Sequence, residues 1–237
     1  MSPVLLSLID APVATISLAQ GPDFSYDPVQ GPIKTGWVAA DNALLVRDID
    51  GDGLITHGAE LFGDQTLLRS TSKAVDGYHA LRDLDDNQDQ RLDPADQAFA
   101  ELMLWQDFDV DGVTDSGELS SLDDHQIVSL DLNAQASDRV DQGNAVALVS
   151  SYTLADGTTR EMADVWFAIA TDAVDQPESS LDTFLSTGQT RSDSTAPESV
   201  EADHGSPTTS QEVLDFAASQ TVDDLSELLL RPEFQRV

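Results

Sequence analysis

Three short segments of this sequence place an acidic or amide side chain at every second residue and then turn. Loop 1 begins at Asp48, loop 2 at Asp85 and loop 3 at Asp107. Side-chain oxygens at this spacing, drawn together by a tight turn, form the cage of hard oxygen ligands that Ca²⁺ prefers. Three such segments between Asp48 and Glu118 predict a calcium-binding protein with Ca²⁺ as its cofactor.

Loop 3 fits the EF-hand template best. In that template the first, third and fifth residues give side-chain oxygens, the sixth is glycine, the seventh gives its carbonyl and the twelfth a bidentate carboxylate. Gly112 stands at the sixth position. An acidic, solvated turn is the alternative, and it would have to match the template by accident. The predicted ligands of loop 3 are Asp107, Asp109, Asp111, Val113 through its carbonyl, Asp115 and Glu118.

Loop 1 matches the same template except at its end. The twelfth position is Ala59, and the acid arrives one residue later as Glu60. Gly58 supplies the backbone freedom that would let Glu60 swing onto the ion. The predicted ligands of loop 1 are Asp48, Asp50, Asp52, Leu54 through its carbonyl and Glu60.

Loop 2 departs from the template at two positions. Gln90 replaces the sixth-position glycine and would have to adopt the positive φ that glycine favours. The twelfth residue is Asp96, whose shorter side chain favours binding through one oxygen, so weaker affinity is expected. The predicted ligands of loop 2 are Asp85, Asn87, Asp89, Arg91 through its carbonyl, Asp93 and Asp96.

The segments between the loops predict short helices. Tyr78, Leu81 and Leu84 recur at three-residue spacing, which indicates a helix entering loop 2. An apolar stripe over residues 95–103 indicates a second helix that leaves loop 2 and enters loop 3, coupling the two. Residues 117–119 are expected to open another short helix.

The flanking segments predict strands. Residues 37–38 and 44–46 are β-compatible and are expected to pair through a turn near Asp41. Residues 127–132 alternate as a strand does, and Asp156-Gly157 is a strong hairpin signal. The hairpin is expected to cover the core and to bury Tyr152, Val165 and Trp166, with Trp37 and Trp105 also in the core.

Together these elements predict an α+β fold. Three EF-hand-like calcium loops with short helices, β-strands and a covering β-hairpin are expected in a domain over residues 1–170. Residues 171–209 are rich in Ser, Thr, Pro and acidic residues and are predicted to be a disordered linker. Residues 210–237 are predicted to form short amphipathic helices that end an acidic tail.

The composition excludes several classes of protein. The 237 residues include 44 acidic and only 11 basic side chains, for a formal charge of −33. Such a chain repels nucleic acid and anionic membrane surfaces, because both require clusters of Lys and Arg. A halophilic source would give the same acidic bias, so charge alone does not establish calcium binding.

The same composition bears on localisation. The absence of cysteine excludes disulfides and cysteine-based zinc sites. No apolar run is long enough to span a membrane, and the first twenty residues lack the basic segment of a cleaved Sec signal. A secreted bacterial protein that leaves by a non-Sec route is expected.

Several segments, in order along the chain, resemble one bacterial family. They are 35–40 (TGWVAA), 45–53 (LVRDIDGDG), 60–66 (ELFGDQT), 104–107 (LWQD), 117–119 (GEL), 152–158 (YTLADGT) and 163–167 (ADVWF). Over residues 3–168 the chain resembles a region of RTX-type secreted proteins, the calcium-dependent self-processing module of FrpC-like proteins. The resemblance implies a calcium-binding scaffold and cleavage of an Asp-Pro bond at the start of the module.

This sequence departs from that family where the cleavage takes place. Ser2-Pro3 stands at the position of the Asp-Pro bond, and a second acidic loop is reduced to residues 26–31. The aspartates and glycines that would follow the bond appear as Ser7, Ile9, Asp10, Ala11 and Pro12. The expected protein is therefore a calcium-binding scaffold rather than an enzyme.

Three functions remain open at this point. The first is a non-enzymatic, RTX-related calcium-binding protein whose folding is coupled to Ca²⁺, since the ion neutralises the repulsion within the loops. The second is calcium-dependent self-processing at an Asp-Pro bond, of which Asp27-Pro28 and Asp93-Pro94 are present. The third is an adhesion or interaction module that calcium stiffens, with a protein partner that the sequence does not identify.

Overall fold

Antiparallel β-structure dominates the protein. The computed structural model describes residues 2–27 and 29–170. The strands are β1 (Val4–Ser7), β2 (Thr15–Ile16), β3 (Asp23–Phe24), β4 (Ile33–Lys34), β5 (Trp37–Val38), β6 (Asn42–Val46), β7 (Arg91–Leu92), β8 (Met103–Trp105), β9 (Leu119–Ser121), β10 (Ile127–Asp131), β11 (Gln135–Asp141), β12 (Asn144–Leu154) and β13 (Thr159–Trp166). One short α-helix, α1 (Gly77–Arg82), and two 3₁₀ segments, Gly58–Glu60 and Gln97–Glu101, accompany these strands within the described ranges.

Nine strands form the main sheet, which curves as a half-barrel. Its order is β7-β10-β12-β13-β1-β6-β8-β9, and β11 also pairs with β12. Two small ribbons, β2-β5 and β3-β4, lie outside this sheet. Leu5 of β1 lies opposite Ala163 of β13 on one side and Leu44 of β6 on the other. The first strand therefore joins the long β12-β13 hairpin to the strand that leads into loop 1.

Both faces of the sheet are buried at the central strands β1 and β6, because these strands are apolar at consecutive positions. Val4 and Leu6 of β1 face one hydrophobic cluster, which includes Tyr78 of α1. Leu5 faces the other cluster together with Trp37 of β5. Alternation of side chains along a strand divides a continuous apolar run between two cores.

The sheet also sets where the three loops begin. Loop 1 follows β6 and loop 3 follows β8, and these two strands are hydrogen-bonded neighbours. Loop 2 follows α1 instead and includes β7, and Leu84 just before it packs in the same cluster as Tyr78. Loops 1 and 3 are thus held by one pair of strands, and loop 2 is held by the opposite core.

The predicted α+β class, with helices flanking EF-hand loops, is wrong. Over residues 95–103 only the 3₁₀ segment Gln97–Glu101 forms, and Met103 already pairs with Val46 in the sheet. The helix expected at residues 117–119 is likewise absent, since β9 begins at Leu119 opposite Trp105. Short isolated helices are marginal, so the sheet pairing of β8 with both its neighbours decides the local conformation.

The predicted hairpin across Asp156-Gly157 is confirmed as β12 and β13. It does not form a separate cover over the core, because β13 pairs with β1 inside the main sheet. Tyr152 and Val165 are buried as predicted, but Trp166 is 40% exposed. Trp166 lies at the end of β13, opposite an alanine that is itself exposed.

The predicted pairing of two segments is wrong, and the predicted tail is not tested. Residues 37–38 and 44–46 are strands, but they do not pair with each other: β5 pairs with β2, and β6 pairs with β1 and β8. The predicted linker over 171–209 and helices over 210–237 lie outside the described residues, so the division of the chain stays a prediction. Among the described residues, no helix combines the length and apolar character needed to cross a membrane.

Candidate metal centre

The three loops share one backbone course. In each loop the fourth and sixth residues adopt a left-handed conformation. The φ values are 75° and 80° at Gly51 and Gly53, 59° and 68° at Gln88 and Gln90, and 62° and 72° at Val110 and Gly112. Gln90 therefore has the positive φ that the template requires of it, although a side chain makes this conformation costly. Loops with different sequences are bent in the same way.

The first residue of each loop stabilises the bend. Its carboxylate accepts a hydrogen bond from the backbone N–H of the sixth residue. The distances are 2.9 Å for Asp48 and Gly53, 2.9 Å for Asp85 and Gln90, and 2.9 Å for Asp107 and Gly112. The fifth residue accepts in turn from the N–H of the seventh, over 2.8 Å from Leu54, 2.9 Å from Arg91 and 2.8 Å from Val113. These local bonds curl each loop around its predicted ligands.

Loops 2 and 3 are closed by the carboxylate of their twelfth residue. Glu118 accepts from Phe108 N over 2.9 Å and from Asp115 N over 3.0 Å, and is 5% exposed. Asp96 makes the equivalent contacts with Asp86 N (2.8 Å) and Asp93 N (3.0 Å). The closing side chain therefore reaches across both loops to the second and ninth residues, despite being one methylene shorter in loop 2.

Loop 1 is closed by Glu60, which arrives through the 3₁₀ segment. Glu60 Oε2 accepts from Thr56 N over 2.8 Å and from His57 N over 3.3 Å. Thr56 is the ninth residue of loop 1, so the inserted residue still brings the acid to the equivalent place. Gly58 makes this approach feasible, because a Cβ there would lie 2.6 Å from the carbonyl oxygen of Tyr26.

Two carboxylate oxygens in the loops are buried without a hydrogen-bond partner. They are Glu60 Oε1 in loop 1 and Asp85 Oδ1 in loop 2. A buried, unpaired carboxylate oxygen is costly, and proteins satisfy such atoms with a hydrogen bond or a metal ion. The donor set consists of carboxylate, amide and backbone oxygens, which suits a hard cation such as Ca²⁺.

The loops differ in how closely they gather their carboxylates. Loop 1 brings one oxygen each of Asp48, Asp50 and Asp52 within 4.8 Å of one another. Loop 3 contains two overlapping groups of this kind, Asp107 with Asp109 and Glu118, and Asp109 with Asp111 and Asp115. Glu60 is outside the loop 1 group, and in residues 29–170 no such group of three occurs at loop 2. These acidic clusters could hold a metal ion.

Two tryptophans contact the carboxylates of loop 3. Trp37 Nε1 donates to Asp107 Oδ2 over 2.8 Å, and Trp105 Nε1 donates to Glu118 Oε2 over 3.1 Å. The two indole rings pack edge to face with centroids 5.6 Å apart. Burial raises the pKa of the Asp107 carboxyl, while the N–H of Gly112 and the indole of Trp37 lower it. The hydrophobic core therefore orients two of the predicted ligands of loop 3.

The sequence did not indicate these indole contacts, nor a contact that joins two loops. Trp37 and Trp105 were expected in the core, where they are fully buried, but the sequence did not predict hydrogen bonds from their indole N–H groups. Thr114 of loop 3 is hydrogen-bonded to the backbone of Ile55 in loop 1. The only local signal is that Trp105 precedes Asp107 by two residues and that Ile55 and Thr114 stand eighth in their loops.

Comparison with known proteins finds one matching family and one similar protein. A family model described as the SPM domain matches residues 4–168, which is more than half of the chain. The chain is also similar to the iron-regulated protein FrpA of Neisseria meningitidis serogroup C, with 47% identity over 135 residues. The aligned part is 56% of this chain but only 12% of the relative, so the chain spans a small fraction of that protein.

Proposed function

This chain belongs to the SPM domain family, and from that premise we propose that it is a calcium-binding protein whose folding is coupled to Ca²⁺. The proposed ligands are those of loops 1, 2 and 3. One observation carries the proposal: three loops of different sequence share the same two left-handed positions, and in each of them the closing acid accepts a hydrogen bond from the N–H of the ninth residue. A solvated acidic turn has no physical reason to repeat this geometry three times.

The unpartnered oxygens support a cation rather than a self-contained network of hydrogen bonds. Glu60 is 1% exposed, so water does not readily reach its orphan Oε1. A cation in loop 1 would satisfy that charge, as it would the buried Oδ1 of Asp85 in loop 2. Loop 3 has all its closing oxygens paired but gathers the largest number of carboxylates.

Coupling of binding to folding follows from like charge. The carboxylates of Asp48, Asp50 and Asp52 lie within 4.8 Å of one another, and their repulsion opposes the folded loop until a cation neutralises it. A ligand that binds only the folded chain stabilises it in proportion to the logarithm of its concentration. We therefore propose that the protein folds fully only where calcium is plentiful.

We also propose that the protein is secreted, as the RTX-type proteins that it resembles are. A chain without cysteine does not depend on disulfide formation outside the cell. A formal charge of −33 keeps the calcium-free chain loose through self-repulsion, which suits export before folding. Detection in culture medium, with a cytoplasmic marker protein retained in the cells, is the direct test.

Calorimetric titration of the full chain with Ca²⁺ tests the binding proposal. The protein is stripped with a chelator, and circular dichroism is followed in parallel. Wild-type protein is expected to bind Ca²⁺ and to gain ordered structure. Replacing Asp107 and Glu118 together by alanine is expected to remove one binding event.

A matched control removes the same charge elsewhere. Asp123 and Asp138 are exposed acids outside the loops, and replacing both by alanine is expected to preserve the stoichiometry. Unchanged stoichiometry after replacing Asp107 and Glu118 would contradict the assignment of loop 3. A stripped sample that is already fully ordered and takes up no Ca²⁺ at millimolar concentration would overturn the proposed function as a whole.

A further inference from the structure

Loops 1 and 3 are joined directly through one side chain. Ile55 N donates to Thr114 Oγ1 over 2.9 Å, and the same hydroxyl donates to the carbonyl oxygen of Ile55 over 3.2 Å. A threonine hydroxyl has one proton to donate and lone pairs to accept, so a single group satisfies both backbone atoms of Ile55. The two residues are 59 positions apart in the sequence.

The joined residues are buried, which makes the contact costly to break. Ile55 is 1% exposed and Thr114 is 8% exposed, so water does not readily replace the lost partner. Leaving a buried backbone N–H or carbonyl unsatisfied costs about 1–3 kcal/mol in general. The two loop segments are therefore expected to order, or to loosen, together.

Each joined residue is adjacent to the closure of its own loop. Ile55 precedes Thr56, whose N–H is bonded to Glu60 Oε2. Thr114 precedes Asp115, whose N–H is bonded to Glu118 Oε2. When an ion orders Glu60 or Glu118, the Ile55–Thr114 contact is therefore fixed, and this contact positions the closing acid of the other loop.

Loop 2 lacks this connection. Its eighth residue is Leu92, which belongs to β7 and pairs with Leu130 of β10. Leu92 also packs in the cluster that contains Tyr78, whereas Ile55 packs in the cluster that contains Trp105. The structure thus places loop 2 apart from loops 1 and 3, in contrast to the coupling of loops 2 and 3 that the apolar stripe over residues 95–103 predicts.

We propose that loops 1 and 3 form one cooperative pair of calcium sites, linked by the Thr114 hydroxyl, and that loop 2 binds independently. This inference rests on the proposed function. The first ion to enter the pair orders the shared Ile55–Thr114 contact, and the second ion meets a loop that is already ordered. Sites that share an ordering cost in this way bind with positive cooperativity.

The test measures the affinity of loop 3 when each other loop is disabled. Calorimetry with Ca²⁺ is performed on the full chain carrying Asp50→Ala with Asp52→Ala, which disables loop 1, or Asp89→Ala, which weakens loop 2. Disabling loop 1 is expected to weaken loop 3 by about fivefold or more, the usual lower range of coupling between sites. Disabling loop 2 is expected to leave loop 3 unchanged.

Substitution of Thr114 isolates the linking hydroxyl. Thr114→Val keeps the branched shape and removes both hydrogen bonds, so loop 3 is expected to become indifferent to loop 1 while the number of sites is kept. Thr114→Ser retains the hydroxyl and is expected to restore the coupling. Thr15→Val is the matched control: this buried threonine makes its hydroxyl hydrogen bonds with Asp141 and Asn144, away from the loops.

The outcomes separate this inference from the proposed function. Failure of the wild-type chain to bind Ca²⁺ overturns both. Binding with loop 3 indifferent to loop 1 overturns the cooperative pair, and coupling that persists in Thr114→Val overturns the Thr114 hydroxyl as its link; both outcomes leave calcium binding in place. If Thr114→Val does not fold, the comparison of the disabled loops in the wild-type background still decides whether loops 1 and 3 are coupled, and absence of that coupling overturns the proposal.

Discussion

Trp105 Nε1 donates a hydrogen bond over 3.1 Å to Glu118 Oε2, and both residues are almost fully buried. The same tryptophan pairs with Leu44 of β6 and Leu119 of β9 in the main sheet. The acid that closes loop 3 is thus held by a side chain whose own position is set by two neighbouring strands. This contact ties the geometry of the proposed metal site to the packing of the core.

Trp105→Phe should therefore weaken Ca²⁺ binding at loop 3. The variant keeps an aromatic ring in the core but loses the N–H that orients Glu118. Removing a hydrogen-bond partner of a metal ligand typically lowers affinity by about 10-fold or more. Calorimetric titration measures the loss, and Trp166→Phe, at the 40% exposed tryptophan, serves as the control with unchanged affinity. Equal affinities for wild type and Trp105→Phe would contradict an orienting role for the indole.

Gln90→Gly should strengthen loop 2. Gln90 has φ 68°, a left-handed conformation that costs a residue with a side chain about 1–2 kcal/mol. Glycine removes that cost, so the stability of the folded chain and the affinity of loop 2 are expected to rise. Urea unfolding and Ca²⁺ titration measure the two effects.

The control for this variant is Gln97→Gly. Gln97 is exposed and lies in the 3₁₀ segment, outside the positions of positive φ, so glycine there is expected to destabilise the chain. A loss of stability in both variants would show that the left-handed conformation of Gln90 carries no strain.

Asp164 should make stability depend on pH. This fully buried residue accepts a hydrogen bond from the N–H of Gly77, and burial raises the pKa of its carboxyl from 3.8 to about 8, with the charges of Asp76 and Asp64 adding to the rise. Unfolded chains release the proton above pH 3.8 while the folded chain holds it to about pH 8. The protonated Asp164 carboxyl therefore contributes its full stabilisation of the folded chain below pH 3.8. This stabilisation is lost as the pH rises through the folded-state pKa of about 8.

Asp164→Asn removes this titration and retains a carbonyl that accepts from Gly77. Between about pH 5 and pH 8, wild-type protein is expected to lose up to about 1.4 kcal/mol of unfolding free energy per pH unit relative to the variant. Urea unfolding at saturating Ca²⁺ measures the difference across that range. Parallel pH profiles for the two proteins would show that Asp164 is ionised in the folded state.

Incubation with millimolar Ca²⁺ should leave the chain at full length. The resemblance to FrpC-like proteins implies that Ser2-Pro3 takes the place of the cleaved Asp-Pro bond, and a serine lacks the carboxyl that could attack its own carbonyl. The carboxyl of Asp93, in the Asp-Pro bond of loop 2, instead accepts from the N–H of Ala95 over 2.8 Å. A discrete shorter band on a denaturing gel, absent with a chelator, would reverse this expectation in favour of self-processing.

Local backbone geometry could be derived from the sequence alone. The spacing of Asp48, Asp50 and Asp52 and the glycine at residue 53 specify a curled loop, because bonds between a side chain and a backbone N–H a few residues away depend only on nearby residues. The turn at Asp156-Gly157 is local in the same sense. The hairpin was therefore predicted correctly, and the three loops were found in the expected register.

Only the tertiary structure decided which distant groups meet. Trp37 reaches Asp107 across 70 residues, and Thr114 reaches Ile55 across 59. The apolar stripe over residues 95–103 is compatible with a helix or a strand, and the pairing of Met103 with Val46 resolves it as the start of β8. Periodicity in a short segment cannot reveal its partner, because the hydrogen bonds of a sheet are made to residues far away in the chain. For that reason the three acidic loops were visible in the sequence, whereas the β-sheet that holds them and the contact that joins two of them were not.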